Sequence, residues 1–185
     1  MKKYELTEET VTVYGKTLYR IRAVRDFGSV KTGEFGGYIE KEENLSHFGD
    51  AWVYGNAKVY GDVRVSGNAW IYGDARVFGN ARVSGNARVY GNAKVYGDAR
   101  VSGNAEVFNT RHFFVQGPIG SRDGYVTFYR TKDDTVEVRC GCFSGSLQEF
   151  VNQVEETHGG SRYEKEYKLA AELAKVCIRL EGESR

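Results

Sequence analysis

The chain is expected to adopt a mainly-β fold: a parallel β-helix of triangular eighteen-residue coils, an N-terminal β-hairpin cap and a C-terminal α+β module of three strands and two helices. Three observations predict it. A six-residue unit runs unbroken from Val53 to Phe108, beginning V-Y-G-N-A-K, V-Y-G-D-V-R, V-S-G-N-A-W, and a hexapeptide period is the signature of coils that stack into a solenoid. Within it the second residue cycles Tyr54, Tyr60, Ser66, then Tyr72, Phe78, Ser84, so three hexads make one coil. The period stops after Asn109-Thr110, and helical spacing appears from Ser146 onward.

The first segment alternates apolar and polar residues in Thr10–Tyr14 and Thr17–Ala23, joined by Gly15-Lys16, which predicts a hairpin. Ile39, Leu45 and Ala51 then fall six apart. They predict an imperfect first coil that shields the open end of the core, as terminal repeats must. The cap is placed at residues 1–36, the β-helix at 37–110 and the terminal module at 111–185.

In the hexads, the first and fifth places carry Val, Ile and Ala, as in Val53 and Ala57 or Ile71 and Ala75, and these fill a narrow prism. The Gly-Asn or Gly-Asp pair between them supplies corners, because both residue types tolerate tight turns. Residues eighteen apart should stack at about 4.8 Å. That puts aromatic ladders on two sides and serines on the third. It also aligns Lys58, Arg76 and Lys94 in one basic column and Arg64, Arg82 and Arg100 in another.

Beyond Thr110, Phe113–Val115, Tyr125–Tyr129 and Thr135–Cys140 read as strands, with a glycine-rich loop from Gly117 to Gly124. Ser146-Leu-Gln-Glu149 fits a capping box for a first helix. A second helix is expected from about Tyr163 to Leu180. Its stripe of Tyr163, Tyr167, Ala170, Ala174 and Cys177, with Leu169, Leu173, Val176 and Leu180 beside it, must bury against the sheet or another subunit.

The net charge of +1 is unevenly spread: residues 1–52 hold eight basic and nine acidic side chains (−1), 53–110 seven and four (+3), and 111–185 eleven and twelve (−1). The mildly basic solenoid is a weak footprint for nucleic acid. No apolar stretch is long enough to span a bilayer, and the start lacks the apolar run of a signal peptide, so a cytoplasmic protein without a membrane partner is expected. Three cysteines, an odd number, predict no disulfide framework.

Leu18–Ala23, Gly36-Gly-Tyr-Ile-Glu40, Glu43–Ser46 and Gly49-Asp-Ala-Trp-Val53, leading into the hexads, resemble the YdcK-like hexapeptide-repeat proteins of bacteria, phages and prophages. The resemblance covers about residues 15–108 and implies a left-handed β-helix without an agreed activity. Gly120-Ser-Arg122, Thr127–Arg130 and Cys140–Phe143 look like a small module met in phage-encoded proteins, which implies a phage or mobile-element origin and, in that case, the host cytoplasm.

Three functional classes remain. Many hexapeptide-repeat β-helices are acyltransferases, but such an enzyme needs a general base on its coils. No hexad contains His, and His47 lies in the cap, where a structural role is expected. The Arg64, Arg82 and Arg100 ladder beside aromatic ladders offers an anion-binding surface that would also suit single-stranded nucleic acid, though nucleic acid ranks behind other partners. In the terminal module, Gly120, Ser121 and Arg122 bring backbone N–H groups, a hydroxyl and a guanidinium into one loop. Tyr129, Arg130 and Lys132 on the neighbouring strand would add a ring and further charge, and a nucleotide-like ligand follows.

Cys140 and Cys142, expected on one strand face with Val136 and Val138, could complete a zinc set with His158 and Cys177. Their spacing matches no standard zinc pattern, and packing under the helices is the preferred reading. No catalytic residue, metal or cofactor is therefore expected. The sequence reads as a non-enzymatic, phage-type binding protein that captures a nucleotide-like signal or a host protein, antagonises host defence and forms a homo-oligomer, trimer or dimer. The alternatives are a purely structural self-assembling solenoid and an acyltransferase.

Overall fold

A computed structural model describes residues 2–180. Strands β1 (Tyr4–Val13) and β2 (Lys16–Ala23) form the predicted hairpin, and β3 (Phe35–Ile39) pairs antiparallel with β2 on one side. Its other edge pairs in parallel with the coil strand Lys58–Val59, so the cap continues directly into one wall of the solenoid.

Each coil contributes three two-residue strands, and these stack with a register of eighteen residues. Lys58–Val59, Arg76–Val77 and Lys94–Val95 form one wall. Trp52–Val53, Trp70–Ile71, Arg88–Val89 and Glu106–Val107 form the second. Arg64–Val65, Arg82–Val83 and Arg100–Val101 form the third. The protein is a parallel β-solenoid of about four coils.

Inside the prism the Val, Ile and Ala positions are fully buried, as at Val59, Ile71, Ala75, Val83 and Ala99. Burying each Val contributes roughly 1.5–3 kcal/mol. The corners take the left-handed conformation for a steric reason. Gly79 has φ +79°, and a Cβ there would lie 2.9 Å from the Gly97 nitrogen of the next coil. Outside, Tyr60 stacks on Phe78 at 5.3 Å and Tyr72 on Tyr90 at 4.7 Å, and Asn68 donates to Asn86 at 3.1 Å.

At the lower end Tyr4, Ile21, Phe27, Val30 and Trp52 close the core. Lys3 is drawn in with them and donates its Nζ to the Ala51 carbonyl at 2.6 Å. Burial lowers its pKa to about 8.

The upper end is closed by the terminal module, whose sheet has four strands rather than three: β4 (Phe113–Ile119), β5 (Gly124–Arg130), β6 (Val136–Cys140) and β7 (Phe143–Ser146), an antiparallel meander. The fourth lies in Phe-Ser-Gly-Ser, which has no alternating apolar pattern and is fixed by its pairing with β6. Nor is Gly117–Gly124 a loop throughout, because β4 continues to Ile119.

Alternation along β5 gives the sheet two faces. Thr127 and Tyr129 face the last coil, where Thr127 Oγ1 accepts the Arg100 N–H at 2.9 Å and Tyr129 Oη meets Ser102 Oγ at 3.4 Å. Val126 and Phe128 face the opposite way, into a second core with helices α1 (Leu147–His158) and α2 (Arg162–Cys177). The capping box forms as expected, Ser146 and Glu149 satisfying each other's backbone N–H groups. Helix α2 buries Tyr167, Ala170, Ala171 and Ala174. Of the two coverings expected for Leu169, Leu173 and Val176, the sheet or another subunit, the sheet supplies none: they are 70%, 47% and 81% exposed on the single chain.

Candidate functional site

A cavity of about 300 Å³ opens between the helix-facing side of the module sheet and the two helices. The β4–β5 turn supplies Ser121 and Arg122, the β6–β7 turn supplies Cys142 and Phe143, α1 supplies Phe150, Gln153 and His158, and α2 supplies Tyr167. Tyr125 and Cys140 complete its walls. Aromatic rings thus line a pocket rimmed by one guanidinium, an imidazole, an amide and hydroxyls. That composition suits a flat ring bearing an anionic or polar substituent.

The expected loop is only partly free for a ligand. The Gly120 N–H donates to the Glu166 carboxylate at 2.7 Å, which uses the donor that a phosphate cradle would need. Gly120 is itself buried against Tyr167. Ser121 and Arg122 stay exposed at the mouth, and the Arg122 guanidinium has no hydrogen bond or ion pair among the described residues.

The other three expected ligand residues lie elsewhere, at the junction with the solenoid. Tyr129 is fully buried and donates to Glu137 at 3.2 Å. Arg130 stacks on Phe108 and pairs with Asp134 at 2.7 Å and Glu106 at 3.8 Å, a buried ionic joint. Lys132 is exposed at the junction, its N–H donating to the Asn104 carbonyl.

Cys140 and Cys142 also differ from the expected shared strand face. Cys140 pairs with Phe143, so Gly141 and Cys142 form the two-residue turn between β6 and β7. Cys140 and Tyr167 are hydrogen-bonded through their side chains, and burial pushes both groups up, the tyrosine to about 12. The Cys140 thiol is therefore protonated at neutral pH, which makes it a weak nucleophile. His158 stacks on Tyr167 with ring centroids 5.7 Å apart. Among the described residues no group of three or more His, Cys, Asp or Glu side chains could hold a metal ion. The rings Tyr125, Phe143, Phe150 and Tyr167 escaped sequence reasoning as site residues because each reads as ordinary core; Phe150 and Tyr167 carried a signal only as members of the apolar faces of α1 and α2.

A second hollow, of about 240 Å³, adjoins the cavity across Gly124, Tyr125 and Gly141, and contains Arg82, Arg100, Asn80 and Asp98. The Arg100 guanidinium donates to the Gly141 carbonyl at 3.1 Å, joining the basic column to the rim of the site. Two members of the predicted ladder thus reach the module, while Arg64 sits one coil further away.

The remaining histidines are structural. His47 accepts the Lys3 N–H at 3.3 Å and stacks on Tyr4. His112 is buried under Phe108, where burial, aided by Arg130, lowers its pKa to about 4. Among the described residues no helix is long and apolar enough to cross a membrane.

Stacked hexapeptide coils closed by a sheet-and-helices module define a β-solenoid repeat protein. Its coils are YdcK-like repeats: the YdcK β-solenoid repeat matches residues 57–73, 69–84 and 81–97. Over 77 residues, 37% of this chain, the sequence is 36% identical to a protein of Escherichia coli (strain K12) described as "Uncharacterized acetyltransferase YdcK". The match spans 24% of that relative's length.

Proposed function

We propose that this chain is a non-enzymatic binding protein whose solenoid is a rigid scaffold and whose module cavity captures a small nucleotide-like ligand. One observation carries the reading: the 300 Å³ cavity places aromatic walls beside Arg122, with Arg82 and Arg100 in the adjoining hollow. A base would stack on the rings while phosphates meet the guanidinium groups. The protonated Cys140 thiol supports binding over covalent catalysis. The test is a thermal-shift titration with AMP, ATP, cyclic mono- and dinucleotides and acetyl-CoA. A ligand at one hundred times its Kd adds about 2.7 kcal/mol, and Arg122→Ala should remove that gain. No shift with any of them contradicts the reading.

A second reading, acyl transfer, is supported by the name of the Escherichia coli relative and by His158 in the cavity. It requires that an acceptor amine or hydroxyl, deprotonated by His158, takes the acetyl group as the CoA thiol leaves, so that acceptor-dependent thiol release is abolished in His158→Ala. A phage-borne role in sequestering a host signal rests on the sequence resemblance, and selective stabilisation by a cyclic nucleotide would support it. A homo-oligomer is the favoured assembly, because Leu169, Leu173 and Val176 leave an apolar seam exposed at heptad spacing.

A further inference from the structure

The solenoid carries an aromatic surface distant in sequence from the module cavity and unused by the reading above. In the hexads the sixth position is Lys, Arg or Glu except at Trp70. Its neighbour one coil below, Trp52, is fully buried under the cap, but Trp70 is part-exposed. The Trp70 ring lies 5.3 Å from Tyr54 at 52°, so the two form a broad tilted floor rather than a closed stack. With Tyr72 and Arg88 they line a hollow of about 590 Å³.

That hollow continues, through Trp70 and Arg88, into a second of about 350 Å³ formed by Asp50, Asn68 and Asn86. The Asn68 and Asn86 amides bond to one another at 3.1 Å, which fixes their planes and leaves further donors and acceptors open. Neither the Asp50 carboxylate nor the Arg88 guanidinium makes a hydrogen bond or ion pair among the described residues.

We infer that this face binds a neutral saccharide. Sugar rings present a C–H face that packs on flat aromatic rings and an equatorial belt of hydroxyls that pairs with amides, carboxylates and guanidinium groups. Both halves of that requirement meet here along one surface. The charge pattern favours a neutral ligand: the hollow is lined by one guanidinium, Arg88, and one carboxylate, Asp50, whose charge also acts on the buried Lys3 ammonium, whereas a nucleic-acid backbone needs a run of exposed cations. Arg88 beside the rings orients a hydroxyl instead of neutralising a phosphate.

A soluble oligosaccharide and a surface-bound polysaccharide offer the same chemistry, so the test has two arms. The intact protein is titrated with β-1,4-linked tetramers of glucose and N-acetylglucosamine and with maltotetraose, followed by saturation-transfer NMR and tryptophan fluorescence. It is then mixed with insoluble cellulose, chitin and starch and pelleted. Binding in either arm that Trp70→Ala weakens at least about tenfold, that Trp70→Phe weakens less and that Arg122→Ala leaves unchanged supports the site. Retention on the insoluble polymers alone assigns a surface polysaccharide. No binding in either arm, binding indifferent to Trp70→Ala, or displacement of the sugar by oligo(dT) overturns it. If Trp70→Ala does not fold, Arg88→Ala and Trp70→Phe carry the same comparison.

Discussion

Gly120 and Tyr167 are in such close contact that a Cβ on the glycine would lie 2.0 Å from the tyrosine oxygen. Gly120 also has φ +74°, so any side chain there meets both a clash and a strained backbone. The contact locks the β4–β5 turn onto α2 and so sets the width of the cavity mouth.

Gly120→Ala should therefore destabilise the protein by about 2–3 kcal/mol. Tyr167→Phe removes the nearest atom, so the double variant should lose less than the sum of the singles. Urea unfolding of the four proteins measures the coupling, and strict additivity would remove the proposed lock.

Lys3 predicts an alkaline gain in stability. Its folded pKa of about 8 lies below the ordinary 10.5, so between these values the unfolded chain binds more protons. Stability must then rise with pH across that window, by about 3 kcal/mol from this group. Acid groups raised by burial act in the opposite sense, the Cys140 thiol above its ordinary 9.0 and tyrosines such as Tyr90, at about 12, above their ordinary 10.0. The Lys3 contribution is thus read as the difference in slope between the wild type and Lys3→Met from pH 8 to 10 in urea melts, the variant losing the rise. An equal slope in the variant would assign the effect elsewhere.

The solenoid was legible because its hexads repeat one physical problem, a Val or Ala inside and a Gly corner outside, and every coil solves it alike. Tyr54, Ser66 and Arg64 could be placed on their ladders by counting. The module was less legible because its cavity is assembled from turns and two helices far apart in sequence. Ser121 and Arg122 were singled out by their loop chemistry, and both line the cavity. Tyr129, Arg130 and Lys132, grouped with them by adjacency in sequence, lie at the junction with the solenoid, a placement set by contacts with Ser102, Glu106 and Asn104 that no local pattern announces. The pairing of β7 through Gly141-Cys142 left no periodic trace.

The exposed seam on α2 predicts association. Light scattering should show a multimer, and Leu173→Glu should shift it toward monomer with circular dichroism unchanged, since Leu173 is 47% exposed and outside the core. A wild-type monomer at high concentration would show that the seam is not an interface between copies.

The junction of solenoid and module predicts a stability cost without a change in ligand chemistry. Tyr129→Phe removes the hydroxyl that meets Ser102 and donates to Glu137, and should cost about 1–2 kcal/mol in urea unfolding. Nucleotide affinity should be unchanged, because Tyr129 faces the last coil and not the cavity.

The most direct measurement is an amide NMR titration of the intact protein with the nucleotide panel. Capture in the module cavity predicts that shifts centre on Ser121–Tyr125, Gly141–Phe143 and His158, extend to Arg100 and vanish in Arg122→Ala. Shifts confined to the solenoid around Trp70, or none with any nucleotide, would contradict it.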